Sequence, residues 1–111
     1  MPAKYNFELY KLKAELCKAF ADPKRLMIIN ELRQGERLVG DLSQTLQISQ
    51  AVTSRHLAVL RHRGAVTFRR EGTNVYYNLA DLKIGEACEL VHDILLNQMT
   101  KRRELTDRLI A

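Results

Sequence analysis

Cysteine is nearly missing: the 111 residues contain only Cys17 and Cys88. Two thiols cannot make a disulfide scaffold, and these two are not spaced as the CxxC of a zinc knuckle or thioredoxin-like site. Long apolar runs are missing as well. No stretch reaches the roughly 18 apolar residues that cross a bilayer. The opening "MPAKYNFELYKLKAELCKAF" carries charges every few residues in place of a signal-peptide core. A membrane partner is therefore excluded, and a cytoplasmic location is expected. There is also no nucleophile motif, no Gly-rich phosphate loop and no His-Glu metal helix, so the chain is not read as an enzyme and implies no cofactor. Without a low-complexity linker, a repeat or a break in composition, residues 1–111 form one domain. A domain of this size buries a modest core, which leaves apolar faces for a partner subunit to complete.

One further absence is local. Between residues 42 and 70 there is no Asp or Glu, while Arg55, Arg61, Arg63, Arg69 and Arg70 all fall there. The other 13 Lys and Arg residues are matched by the 13 Asp and Glu, so this one segment carries the whole formal excess of +5. Concentrated in this way, the charge is the electrostatic footprint of a polyanion site.

Apolar periodicity orders the elements. From Asn6 to Phe20, Tyr10, Ala14 and Cys17 form a stripe with Leu9, Leu12, Leu16 and Phe20 beside it, a helix face wide enough for two neighbours. Asp22 and Pro23 then start a second helix, with the carboxylate accepting orphan amide hydrogens and proline at the first position; it stops at Gly35. "VGDLSQTL" reads as a two-turn helix with Val39, Leu42 and Leu46 inward, and "QIS" as the turn. Ser49 caps the next helix, which runs to Arg63 and ends at Gly64. Two short helices joined by a tight turn are a helix-turn-helix. "AVTFRRE" and "NVYYNLA" alternate as strands joined through "EGTN", where Gly72 and Asn74 can take positive φ; of Tyr76 and Tyr77, one should pack inward and one lie exposed. Ile84 to about Arg108 is a long amphipathic helix with Ala87, Val91, Ile94 and Leu95 on its apolar side. The expected fold is mainly α with a β-hairpin wing, in the order helix, helix, helix, helix, hairpin, helix.

The second helix of a helix-turn-helix enters the major groove. Spacing turns Thr53, Leu57 and Leu60 inward and leaves Ala51, Arg55, Ala58 and His62 outward, with Gln50, Val52 and Ser54 near the leading edge. Small Ala51 and Ala58 let the backbone approach the groove floor. Arg55 suits the two acceptors of a guanine and Gln50 an adenine, while Ser49, Ser54 and the helix N-terminus suit phosphate. On the hairpin, Arg69 and Arg70 lead to the tip at Gly72 and Thr73, which lies along the backbone or probes a narrow minor groove. His56 is expected to bond a backbone group or phosphate, and His92 to lie on a helix surface.

The run "FADPKRLMIINELRQGERLVGDLSQTLQISQAVTSRHLAVLRHRGAVTFRREGTNVYYNL", above all "SQAVTSRHLAVLRHRGAV" followed by "RREGTNVYY", resembles the ArsR/SmtB family of bacterial and archaeal winged-helix repressors over about residues 15–95. The resemblance implies a homodimer built from the first and last helices, which occupies double-stranded operator DNA with inverted-repeat symmetry and leaves it when an inducer binds. Many relatives sense metal through Cys-x-Cys before the turn. The matching "ERLVGDLSQ" has no cysteine, so that site is absent. A second family site uses carboxylates and histidines of the last helix. Glu86, Cys88, His92, Asp93, Met99 and Glu104 do not reproduce it, and no set converges as a zinc site from spacing.

Some relatives sense oxidants or reactive sulfur through a cysteine pair involving the last helix. Cys17 and Cys88 lie on the two helices that the family packs together, which makes them the candidate thiol sensor; the opposing reading is two buried, inert thiols. Two other functions stay open: a metal-responsive repressor with a non-standard site at the dimer interface, and a non-sensing winged helix that binds protein. Against the latter stands a recognition face that carries arginine.

Overall fold

A computed structural model describes residues 2–111. Side-chain caps set most of the helix starts. Asn6 accepts the Leu9 amide at 3.2 Å and opens α1 (Phe7–Lys18). Asp22 accepts the amides of Lys24 at 2.8 Å and Arg25 at 3.2 Å and opens α2 (Pro23–Leu32), as the Asp-Pro pair predicts. Helix α3 (Val39–Leu46) has no side-chain cap, because it leaves directly from β1 (Arg37–Leu38). Ser49 caps α4 (Gln50–His62), and Asp81 caps α5 (Leu82–Ile110). The last helix thus begins two residues before Ile84 and extends past Arg108, since Asp81 captures the Lys83 amide at 2.9 Å.

The turn between α3 and α4 is locked by backbone and side chain together. Gln47 takes the left-handed conformation with φ 55°, Ile48 donates its amide to the Ser43 carbonyl at 3.1 Å, and the Ser43 hydroxyl donates to the Ile48 carbonyl at 2.6 Å. Orphan carbonyls of α3 are satisfied within the turn itself.

Strands β2 (Val66–Glu71) and β3 (Asn74–Leu79) form the hairpin, with Gly72 at φ 62° opening its two-residue loop. Asn74 does not take positive φ as expected; it is the first residue of β3 and pairs with Glu71. The segment read as a plain connection before α3 contains β1, which pairs antiparallel with β3, so the sheet order is β1-β3-β2. Two residues are too few to show a period. Strand alternation puts Val66, Phe68 and Arg70 on one face with Val75, Tyr77 and Leu79, and Thr67, Arg69 and Glu71 on the other with Asn74, Tyr76 and Asn78.

The core lies where α2, α3, α4 and the base of the hairpin meet. Ile28, Ile29, Leu32, Leu42, Leu57, Leu60, Ala65 and Val66 are buried there. Each large member contributes about 1.5–3 kcal/mol relative to exposure. Thr53 is also buried, with its hydroxyl donating to the Ser49 carbonyl at 2.9 Å. Helix α1 stands apart, as none of its residues is buried. Arginines tie it down: Arg25 donates to the carbonyls of Ala19 and Lys18, and Arg63 donates to the Glu15 carboxylate at 2.7 Å. Its wide apolar face is therefore not covered within this chain.

Candidate nucleic-acid interface

The recognition helix divides as its spacing predicts. Thr53, Leu57 and Leu60 are fully buried, while Gln50, Ala51, Ser54, Arg55, Ala58 and His62 are exposed and Val52 is half-buried at the edge. Core leucines on one side fix the direction of the polar residues on the other. Ser49 accepts the Val52 amide at 3.2 Å, which leaves its own hydroxyl proton free to donate. The outward face therefore combines a helix N-terminus, small residues and one long cation.

The five arginines of the acid-free segment do not share one fate. Arg63 turns back to Glu15, and Arg69 forks onto Glu36 at 2.9 and 2.5 Å while also reaching Glu71 at 2.7 Å. Arg55, Arg61 and Arg70 have no carboxylate partner among the described residues. The guanidinium of Arg61 stacks over Phe68 at 4.1 Å from the ring centroid, joining the end of α4 to the wing, and Arg70 lies 5.6 Å from the same ring. Phe68 and Glu36 are thus parts of the site that the sequence reading did not single out. Their partners lie on separate elements, so no local pattern marks them.

At the tip, Gly72 and Thr73 are exposed. Neither tyrosine of β3 is exposed, contrary to the alternation argument: Tyr77 packs on the core and Phe68, while Tyr76 is covered by the Arg69 guanidinium at 4.4 Å. His56, expected on a backbone group or phosphate, has its Nε2 3.9 Å from Asp22 Oδ1 at the start of α2. There, desolvation pushes the Asp22 carboxyl up, but the amides of Arg25 and Lys24 and the nearby His56 outweigh it and hold the group below its ordinary value. His92 is exposed beside Asp93, as expected.

The cysteines are both free. Cys17 is exposed on α1. Cys88 is half-buried in a cavity of about 590 Å³ between α2 and α5, lined by Leu26, Met27, Arg33, Val91 and Leu95 among others, to which α1 contributes no residue. Burial pushes the Cys88 thiol above its ordinary value, with Arg33 opposing. Among the described residues, no three His, Cys, Asp or Glu side chains are grouped to hold a metal ion. Among the described residues, no helix is long and apolar enough to cross a membrane.

A buried-faced recognition helix behind a tight turn, followed by a cationic hairpin, defines a winged helix-turn-helix DNA-binding domain. The family model described as bacterial regulatory protein, arsR family, matches residues 22–67. The transcriptional activator HlyU of Vibrio cholerae is 42% identical over 77 residues, covering 69% of this chain and 71% of that protein. Its solved structure superposes with a TM-score of 0.69 over 77% of this chain and 92% of that one, at 38% identity. The transcriptional regulator Rv0081 of Mycobacterium tuberculosis is 35% identical over 104 residues, 93% of this chain and 91% of that one. Its crystal structure gives a TM-score of 0.75 over 85% of this chain and 95% of that one. A homodimeric winged helix-turn-helix domain from Mycobacterium bovis, a possible ArsR-family regulator, gives 0.77 at 30% identity over 89% of this chain and 94% of that one. The chain belongs to the arsR family of bacterial regulatory proteins, and is a DNA-binding transcriptional regulator rather than an enzyme.

Proposed function

We propose that the protein is a homodimeric repressor that occupies an inverted-repeat operator in duplex DNA and is released by an inducer, through thiol chemistry at Cys17 and Cys88. The observation that carries the DNA reading is the exposed, acid-free face of α4, with Arg55 and Arg70 unpaired at its helix and wing. Ser49, Gln50, Ala51, Val52, Ser54, Arg55 and His62 meet the major groove, and Arg69, Arg70, Gly72 and Thr73 form the wing that meets the backbone. Support for the dimer comes from the open apolar faces of α1 and α5 and from the homodimeric neighbour. A two-fold axis sets two recognition helices on half-sites about one helical turn apart, roughly 34–36 Å.

The thiol step joins Cys17 to Cys88, within one protomer or between the two, on the helices that the dimer packs together. A hydroperoxide takes two electrons and the two thiol protons, forms the disulfide, and leaves as water and alcohol. Cys17 reacts first because it is exposed, whereas Cys88 is half-buried and its burial pushes the thiol pKa up, which disfavours the reactive thiolate.

The test is fluorescence anisotropy of the reduced protein on duplex DNA from upstream of its own gene, before and after hydroperoxide and again after reductant. Expected are tight binding that falls steeply with salt, reversible loss on oxidation, and a Cys88→Ser variant that binds but no longer responds. Binding that ignores oxidation rejects the thiol step alone. Early elution from heparin with no preference for duplex DNA rejects the operator reading in favour of a protein-binding wing.

A further inference from the structure

We propose that Glu36 is the positioning residue of the wing: its carboxylate holds Arg69 on the outer face of the sheet, so that Arg70 alone of the two wing arginines grips DNA. The inference rests on the DNA reading above and changes it at one residue: adjacent arginines of one strand look equivalent in sequence, but Arg69 leaves the set of wing residues that touch DNA.

Three observations separate them. Neighbouring residues of a strand point to opposite faces, so Arg70 shares its face with Phe68 and, through that ring, with Arg61 of the recognition helix, while Arg69 faces away. The pairing of Arg37 with Tyr77 sets Glu36 opposite Asn78, whose side-chain amide donates to the same carboxylate at 3.2 Å. Glu36 is thereby fixed before it receives Arg69, through Nε at 2.9 Å and Nη2 at 2.5 Å. A bidentate fork of this kind fixes direction as well as distance. A second carboxylate, that of Glu71, accepts from Arg69 at 2.7 Å and the guanidinium lies over the Tyr76 ring, so its donors are engaged although the side chain is 46% exposed.

Charge points the same way. One guanidinium between two carboxylates leaves the outer cluster formally negative, so it does not attract phosphate. Arg70 has no carboxylate to offset it among the described residues. The Glu36 carboxyl is held below its ordinary value by Arg69 first and Asn78 second, so the clamp is fully charged at neutral pH. Its physical role is to set the angle of the hairpin against β1 and thus the height of Arg70 over the duplex.

The experiment measures affinity and its salt dependence for Glu36→Gln and Arg69→Lys on the same upstream duplex, with thermal unfolding as the control for folding. Removing a negative charge near DNA ordinarily strengthens binding. If Glu36 positions the wing, Glu36→Gln instead binds roughly fivefold more weakly with the wild-type salt slope. Arg69→Lys, which keeps the charge and loses the fork, weakens binding to a similar degree. A Glu36→Gln protein that binds as tightly as wild type, or more tightly with a slope steeper by about one, overturns the inference and makes Arg69 a phosphate contact. So does an Arg69→Lys protein that binds like wild type. A wild-type chain that fails to bind any duplex removes the DNA reading itself, and this inference with it.

Discussion

In the proposed complex, Arg55 and Arg70 carry the same charge into different parts of a duplex. Arg55 projects from the exposed face of α4 opposite Leu57 and Leu60, which the proposed docking sets against base edges; Arg70 projects from β2 beside the tip, which the same docking sets against sugar and phosphate. A bidentate base contact discriminates among sequences, whereas a phosphate contact raises affinity for all of them. Arg55→Ala is accordingly expected to lose about 1–3 kcal/mol of preference for operator over random duplex, and Arg70→Ala to weaken both equally and lower the salt slope by about one. Anisotropy titrations on the two duplexes at several salt concentrations check this; an equal loss of specificity in both variants rules out the division. The direction of Arg55 is legible from sequence because Thr53, Leu57 and Leu60 recur at helical spacing. The pairing of Arg63 and Arg69 is not, since Glu15 and Glu36 lie 48 and 33 positions away.

Elements were legible where a local chemical signal ends them. Asp22-Pro23, Ser49 and Gly64 mark helix boundaries through caps and positive φ, and the structure keeps them within a residue or two. Strand β1 carried no such signal because two residues become a strand only through pairing with β3. The turn of the helix-turn-helix is intermediate: its place was readable, but its left-handed residue is Gln47, not glycine. An L-residue in that conformation costs roughly 1–2 kcal/mol, and glycine removes that strain while adding about 0.5–1 kcal/mol of backbone entropy to the unfolded chain. Gln47→Gly should therefore stabilise the domain by a few tenths to about 1 kcal/mol. The reading is a higher urea midpoint with an unchanged denaturant slope. A lower midpoint would mean that the Gln47 side chain holds the turn through contacts that outweigh its backbone strain.

The whole molecule is shaped like half of something. A compact chain of about 100 residues has a radius of gyration near 13 Å, whereas this one measures 17.8 Å, with extents of 62 × 45 × 21 Å. The excess comes from α1 and the outer part of α5, whose large apolar residues are largely uncovered: Leu12 is 68% exposed and Ile94 56%. Sequence alone showed that these faces exist, from periodicity, and that a small core leaves room for a partner; it could not show that α1 would bury nothing of its own. Burying such faces against a second copy is favourable in proportion to the apolar area removed from water, and a buried carboxylate there is strongly unfavourable. The double variant Leu12→Asp/Ile94→Asp should therefore be monomeric by sedimentation velocity at concentrations where the wild type is a dimer. It should still unfold cooperatively, with a midpoint lowered only by the lost association, because neither residue belongs to the core around Leu42, Leu57 and Leu60. Loss of the two-fold separates the half-site contacts, and joined contacts exceed single ones by about 10²–10⁴ in affinity. Operator binding by the monomer should accordingly fall by at least about a hundredfold while each recognition helix stays intact. A double variant that remains dimeric would move the interface off these helices, and a monomer that binds the operator undiminished would mean that one wing and one recognition helix suffice.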